Sequence, residues 1–318
     1  MSKLLEQLRH KIRQKHYSIH TEQTYVKWCK QFILFHHKRH PSEMGIAEVE
    51  QFLTHLAVQQ NVSASTQNVA FNAIIFMYKH ILNKPLKNVN ALRAKAPIRI
   101  PIVLSKNEVR CLLNNIETVQ YQLMAKLMYG CGIRCIECLR LRILDIDFDR
   151  STLNIFAGKG NKDRLVPLDE SLHNPLKYQI TQVEQLHQID LANGYGEVYL
   201  PHALAKKYST AAKQLKWQYL FPAPKRAIDP RTGVMRHHHL HESTINRAIN
   251  KAARQAKINK KVTAHTFRHS FATHLVEAGY DIRTIQELLG HKDISTTQIY
   301  LHVAQKNVLS VRSPLADL

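Results

Sequence analysis

Apolar residues recur at helical spacing over most of the chain, and only one stretch alternates. Leu4, Leu5, Leu8 and Ile12 line one helical face, and Tyr25, Trp28, Phe32 and Phe35 a second. Ile46, Val49, Phe52, Leu53 and Leu56 give a third, and Val69, Ala73, Phe76 and Met77 a fourth. Residues 1–88 therefore predict a small bundle of four or five helices. Residues 89–104 break the period with Pro97 and Pro101 among basic residues, which predicts a linker. Helices resume at Ser105, which forms a capping box with Glu108, and residues 105–318 read as a second domain. Residues 143–168 alternate apolar and polar positions around Gly158-Lys159-Gly160-Asn161, predicting an antiparallel sheet with a tight hairpin. Residues 172–186 are helical, residues 190–240 are an irregular insert ending in a basic polar loop, and residues 243–256 are helical again.

The last stretch, residues 263–300, predicts three short helices. Thr263 heads the first and Gly279 stops it; Asp281 opens the second and Gly290 ends it; Ser295 heads the third. The tail 303–318, with apolar Val308 and Leu309, suits a helix that docks on a neighbouring protomer. The fold class is mainly helical with a small antiparallel β-sheet.

Charge narrows the partner. The 318 residues carry a formal net charge of +21, spread over the chain, which points to a polyanion and most simply to DNA. No apolar run is long enough to span a membrane, and the N-terminus lacks the apolar block of a signal peptide. Cys131, Cys135 and Cys138 share one helical face; zinc could use them, but a reduced core is the simpler reading. These features indicate a cytoplasmic protein.

Candidate chemistry lies on the helices rather than in them. His265 and Arg268 share a helical face, His291 follows Gly290, and Tyr300 comes nine residues later. Arginine and histidines around a tyrosine suit a phosphate oxyanion and an attacking phenol. Arg134 follows a Gly130-Cys131-Gly132 turn, and Glu137 one turn on could hold its guanidinium in place. Lys159 tips the hairpin, with Lys162 and Arg164 beside it as further phosphate contacts. His265 and His269 have the i, i+4 spacing of zinc peptidases, but no glutamate follows His265 and Arg268 would repel a cation, so neither metal nor cofactor is expected.

G-x-R with a following Glu, G-K-G-N-K, H-x-x-R, L-G-H and the tyrosine, in this order, resemble the tyrosine recombinase (phage integrase) family. The resemblance spans nearly the whole chain, including Tyr17, Ser18, Thr21 and Tyr25. It implies a helical, SAM-like core-binding domain before a mixed α/β catalytic domain, with the two clamping DNA. It also implies that Arg134 and Arg268 bind the scissile phosphate, Lys159 protonates the leaving oxygen and Tyr300 is the nucleophile. His265 would be the base and His291 a phosphate hydrogen-bonder. The expected reaction is metal-independent: a 3′-phosphotyrosyl link, then strand exchange in a homo-tetramer. V-Y-L-P-H-A-L-A-K-K-Y and W-Q-Y-L-F-P resemble the integron integrase branch, which implies recombination of gene cassettes at duplex and folded single-stranded sites. Trp217, Pro230, His239 and His241 would then contact DNA, the alternative being a core tryptophan and solvated histidines. Other tyrosine recombinases, a type IB topoisomerase and a catalytically silent DNA-binding protein are the rivals.

Overall fold

The computed structural model describes residues 2–86, 100–156, 163–200, 204, 207–208, 210–230 and 232–308. It divides into two units, Met1–Arg99 and Ile100–Leu318. Residues 87–99, which take in most of the expected linker 89–104, the hairpin tip with Lys159 and Lys162, and the tail beyond residue 308 lie outside the described residues.

The first unit contains helices α1 (Ser2–Gln14), α2 (Ile19–Phe35), α3 (Ile46–Val58) and α4 (Ala64–His80). Ser18 and Ser63 begin α2 and α4 by accepting the amides of Thr21 and Thr66. The apolar faces meet in one core in which Leu8, Ile12, Phe32, Phe52, Leu56, Ile74 and Met77 are buried. Burying each such side chain stabilises the unit by about 1.5–3 kcal/mol before entropy is counted. Arg9 and Arg13 bracket the buried Glu22 at 3.1 and 2.9 Å.

In the second unit, α5 (Lys106–Asn114), α6 (Val119–Gly130) and α7 (Cys135–Arg140) lead into a three-stranded antiparallel sheet. Its strands are β1 (Ile146–Asp147), β2 (Thr152–Ile155) and β3 (Arg164–Pro167), in that order, with Ile155 opposite Arg164. The long helix α8 (His173–Ala192) follows, then the insert, then α9 (Glu242–Gln255), α10 (Ala264–Glu277), α11 (Ile282–Leu289) and α12 (Ser295–Val308). The Ser105–Glu108 capping box forms in both directions. Cys131, Cys135 and Cys138 are buried in the core with Leu127, Met128 and Phe267. Burial raises their thiols, to about 12 at Cys131 and Cys135.

The insert is more ordered than its polar sequence predicts. Residues 223–241 contain a hairpin, β4 (Ala227–Ile228) with β5 (Met235–Arg236), whose strands are too short to leave a period in the sequence. A small cluster of Val198, Leu200, Ala211 and Tyr219 forms beside it, with Trp217 packed against it. No helix among the described residues is long and apolar enough to cross a membrane.

Candidate active site

The site is built where α7, α10, α11 and β3 meet. Gly290 ends α11 in the left-handed region, φ 62°, ψ 46°. The last carbonyls of a helix lack intrahelical partners and carry the negative end of its dipole. Here three of them in a row each accept from a different arginine. Leu288 O takes Nε of Arg164 at 2.8 Å, Leu289 O takes Nη2 of Arg268 at 2.5 Å, and Gly290 O takes Nη2 of Arg134 at 3.3 Å. Three guanidiniums from distant parts of the chain are thus gathered at one helix end.

Arg134 stands immediately before α7, its backbone extended at φ −72°, ψ 153°. Glu137 holds it twice, accepting the Arg134 amide at 2.9 Å and its Nη1 at 2.6 Å. The same carboxylate accepts Nη2 of Arg164 at 2.7 Å. Burial alone would raise the Glu137 carboxyl, but Arg164 and then Arg134 outweigh it and hold it at about 2. Glu137 therefore stays ionised and fixes both guanidiniums. Arg164 was expected on DNA; with Nε, Nη1 and Nη2 committed to Leu288 and Glu137, it is a buried strut instead.

Arg268 is buried on α10 and also donates to Gly132 O at 2.5 Å. Gly132 has φ +61°, and a Cβ there would lie 2.3 Å from the Phe271 ring, so only glycine lets the turn approach. Burial, then the neighbouring Arg134, lowers Arg268 to about 9, which leaves it charged at neutral pH. Each guanidinium has five N–H donors, so Arg134 and Arg268 keep capacity for an anion beyond these bonds.

Tyr300 reaches this cluster from α12 and is 2% exposed. Its hydroxyl lies 2.9 Å from Nδ1 of His269. The His291 ring stacks on the Tyr300 ring with centroids 6.4 Å apart and planes within 14°, and its Nδ1 meets the Thr297 hydroxyl at 2.9 Å. His265, the expected base, is exposed on the first turn of α10 and makes no hydrogen bond among the described residues. It is His269 that faces the phenol. The sequence held the signal: 265, 268 and 269 fall on one helical face. Burial raises the Tyr300 phenol, partly offset by the charges of Arg268 and Arg134.

The other expected DNA contacts lie apart in the insert. Trp217 is half-buried, 6.4 Å from Tyr208 between ring centroids. Pro230 is exposed at the β4–β5 turn. His239 is half-buried, with Nδ1 2.7 Å from Leu240 O and its ring edge-on to Tyr219. His241 has a structural task, since it caps α9 by accepting the Ser243 amide at 3.2 Å. Ser295 is likewise not its helix's cap: Asp293 accepts the Ser295 amide at 2.9 Å.

Residues 103–307 match the phage integrase family, and residues 4–88 match the phage integrase N-terminal SAM-like domain. An integrase/recombinase of Escherichia coli is 45% identical over 99% of this chain and 94% of its own length. Tyrosine recombinase XerC of Anoxybacillus flavithermus is 28% identical over 93% and 91%. Among solved structures, the XerH site-specific recombinase bound to palindromic difH substrate aligns with a TM-score of 0.61 at 21% identity, over 97% of this chain and 83% of that one. That likeness is one of fold.

Proposed function

The chain belongs to the phage integrase family of tyrosine recombinases, enzymes that cleave and rejoin DNA, and from that premise we propose that Tyr300 is its nucleophile, acting on a phosphodiester held by Arg134 and Arg268. The observation that carries the reading is the convergence of both guanidiniums, the His291 ring and the phenol around the end of α11. Extra negative charge develops on the non-bridging oxygens as the phenol attacks. Two preorganised guanidiniums neutralise it without a metal. Lys159 supplies the proton to the departing 5′ oxygen. The 3′-phosphotyrosyl ester keeps the energy of the broken bond, so a second 5′-hydroxyl can reverse the step. Exchange between two duplexes calls for four protomers on DNA.

Within the family, the chain reads as an integron integrase that inserts and excises gene cassettes, including at folded single-stranded sites. What supports this is the insert, with its own small core, a half-buried Trp217 and an exposed Pro230 at a hairpin tip. The similarity to a tyrosine recombinase XerC over most of the chain favours a second reading, another kind of tyrosine recombinase with no use for folded strands. A suicide substrate offered as a folded single strand and as the matching duplex separates the two. Tyr300→Phe is expected to abolish covalent capture on both while leaving binding within about twofold; an adduct in that variant refutes the nucleophile. Trp217→Ala is expected to impair the folded strand at least ~10-fold more than the duplex, the scale of losing one base stack. Equal loss on both favours the duplex reading.

A further inference from the structure

We propose that His269, and not His265, receives the phenolic proton of Tyr300 during strand cleavage. The inference rests on Tyr300 being the nucleophile. His269 Nδ1 is 2.9 Å from the Tyr300 oxygen, within the reach a proton acceptor needs, and the two rings sit 5.8 Å apart between centroids. The His265 ring lies a turn away, 6.4 Å from His269, and bonds to nothing among the described residues.

Protonation states agree with the direction of transfer. Burial first, then His265 and Arg268, hold the His269 imidazole down at about 4. It is therefore neutral at working pH, with its Nδ1 lone pair turned to the phenol. The raised phenol is protonated, so its O–H donates to the ring. A ring so depressed is a weak base in the free protein. An incoming phosphate on Arg134 and Arg268 cancels positive charge beside it and raises its basicity when the substrate is in place.

In cleavage, the Tyr300 oxygen bonds to phosphorus while the bond from phosphorus to the 5′ oxygen breaks, its electron pair leaving with that oxygen. The phenolic proton passes to His269 Nδ1, giving imidazolium, and the 5′ oxygen takes a proton from Lys159. In rejoining, the incoming 5′-hydroxyl returns its proton to Lys159 as it attacks, and His269 hands its proton back to the departing phenolate.

The test is single-turnover cleavage of a suicide duplex by the full chain. His269→Asn keeps an acceptor atom near the Nδ1 position but cannot take up a proton; His269→Ala removes both. Both variants are expected to bind DNA as the parent does and to cleave ~100-fold or more slowly. A His269→Asn rate within tenfold of the parent overturns the proposal, because an acceptor alone would then suffice. Placing a fluorinated, more acidic tyrosine at position 300 guards against a merely misfolded variant. It is expected to recover His269→Ala by more than it speeds the parent, and equal effects on both overturn the proposal. Tyr300→Phe, read on the same substrate, tests the nucleophile separately.

Discussion

Arg164 illustrates how one residue's neighbours decide its task. In the sequence it is a basic residue two places from Lys162, and phosphate contact is the natural reading. In the fold its β3 position turns it inward onto Glu137 and the end of α11. Removing one partner of a buried ion pair costs about 3–5 kcal/mol, because the other charge is left uncompensated. Arg164→Met is therefore expected to lower unfolding stability by about 3 kcal/mol, measured in urea, and to slow cleavage as Arg134 loses its fixed partner. A DNA contact would behave differently: stability would hold, and the salt dependence of binding would fall by about one unit. The residues that make local motifs, Arg134, Glu137, Arg268, His291 and Tyr300, were legible because each sits at a turn, a helix end or a repeated helical spacing. The inward task of Arg164 was not, because Glu137 lies 27 residues away in sequence; His269 shares the legible face of His265 and Arg268, and only its pairing with Tyr300, 31 residues on, needed the packing.

At the scale of elements, the end of α11 organises the site through its backbone. Helix punctuation by Asp281 and Gly290 could be read directly, and the structure has Asp281 accepting the Arg283 and Thr284 amides. That the freed carbonyls would collect three arginines could not be read, since a carbonyl leaves no mark in a sequence. The insert shows the opposite case: two-residue strands lie below any detectable period, so β4 and β5 read as loop. Arg142 is one of the residues that tie the insert to the core, beside backbone bonds such as that from the Leu220 amide to Leu141 O. Arg142 donates to Trp217 O at 2.5 Å and Tyr199 O at 2.7 Å, and stacks 4.7 Å over the Tyr219 ring. Arg142→Ala removes its three contacts and leaves two carbonyls without that donor. The variant is expected to expose the insert to limited proteolysis at least ~10-fold faster than the parent. Cleavage of an ordinary duplex should fall much less than capture of a folded strand, which maps the insert's role independently of Trp217.

For the whole molecule, charge sets both the partner and the response to pH. A chain of net charge +21 should lose DNA affinity steeply with salt, by a power of the salt concentration set by the phosphates it neutralises. A flat response in binding titrations would contradict that footprint. Acid acts on stability through groups the fold keeps from taking up protons. In the second unit, His239, His269 and His274 all lie below the ordinary histidine value of 6.5, each first through burial. Between about 6.5 and the folded values, the unfolded chain binds protons that the folded chain refuses. Stability therefore rises with pH across that window and falls as pH drops. For His269, held at about 4 against 6.5, the loss at pH 5 is on the order of 2 kcal/mol. Glu137 adds a second window with the same sign: its carboxyl is at about 2 folded against 4.5 unfolded, so its contribution is whole above 4.5 and lost below. Urea midpoints are accordingly expected to fall from pH 7.5 to pH 5 and again below 4.5. His269→Asn should flatten the first fall by about the amount assigned to that ring while leaving the second. An unchanged pH profile in that variant would mean that the ring titrates alike in the folded and unfolded chain, and that burial does not hold it below its ordinary value.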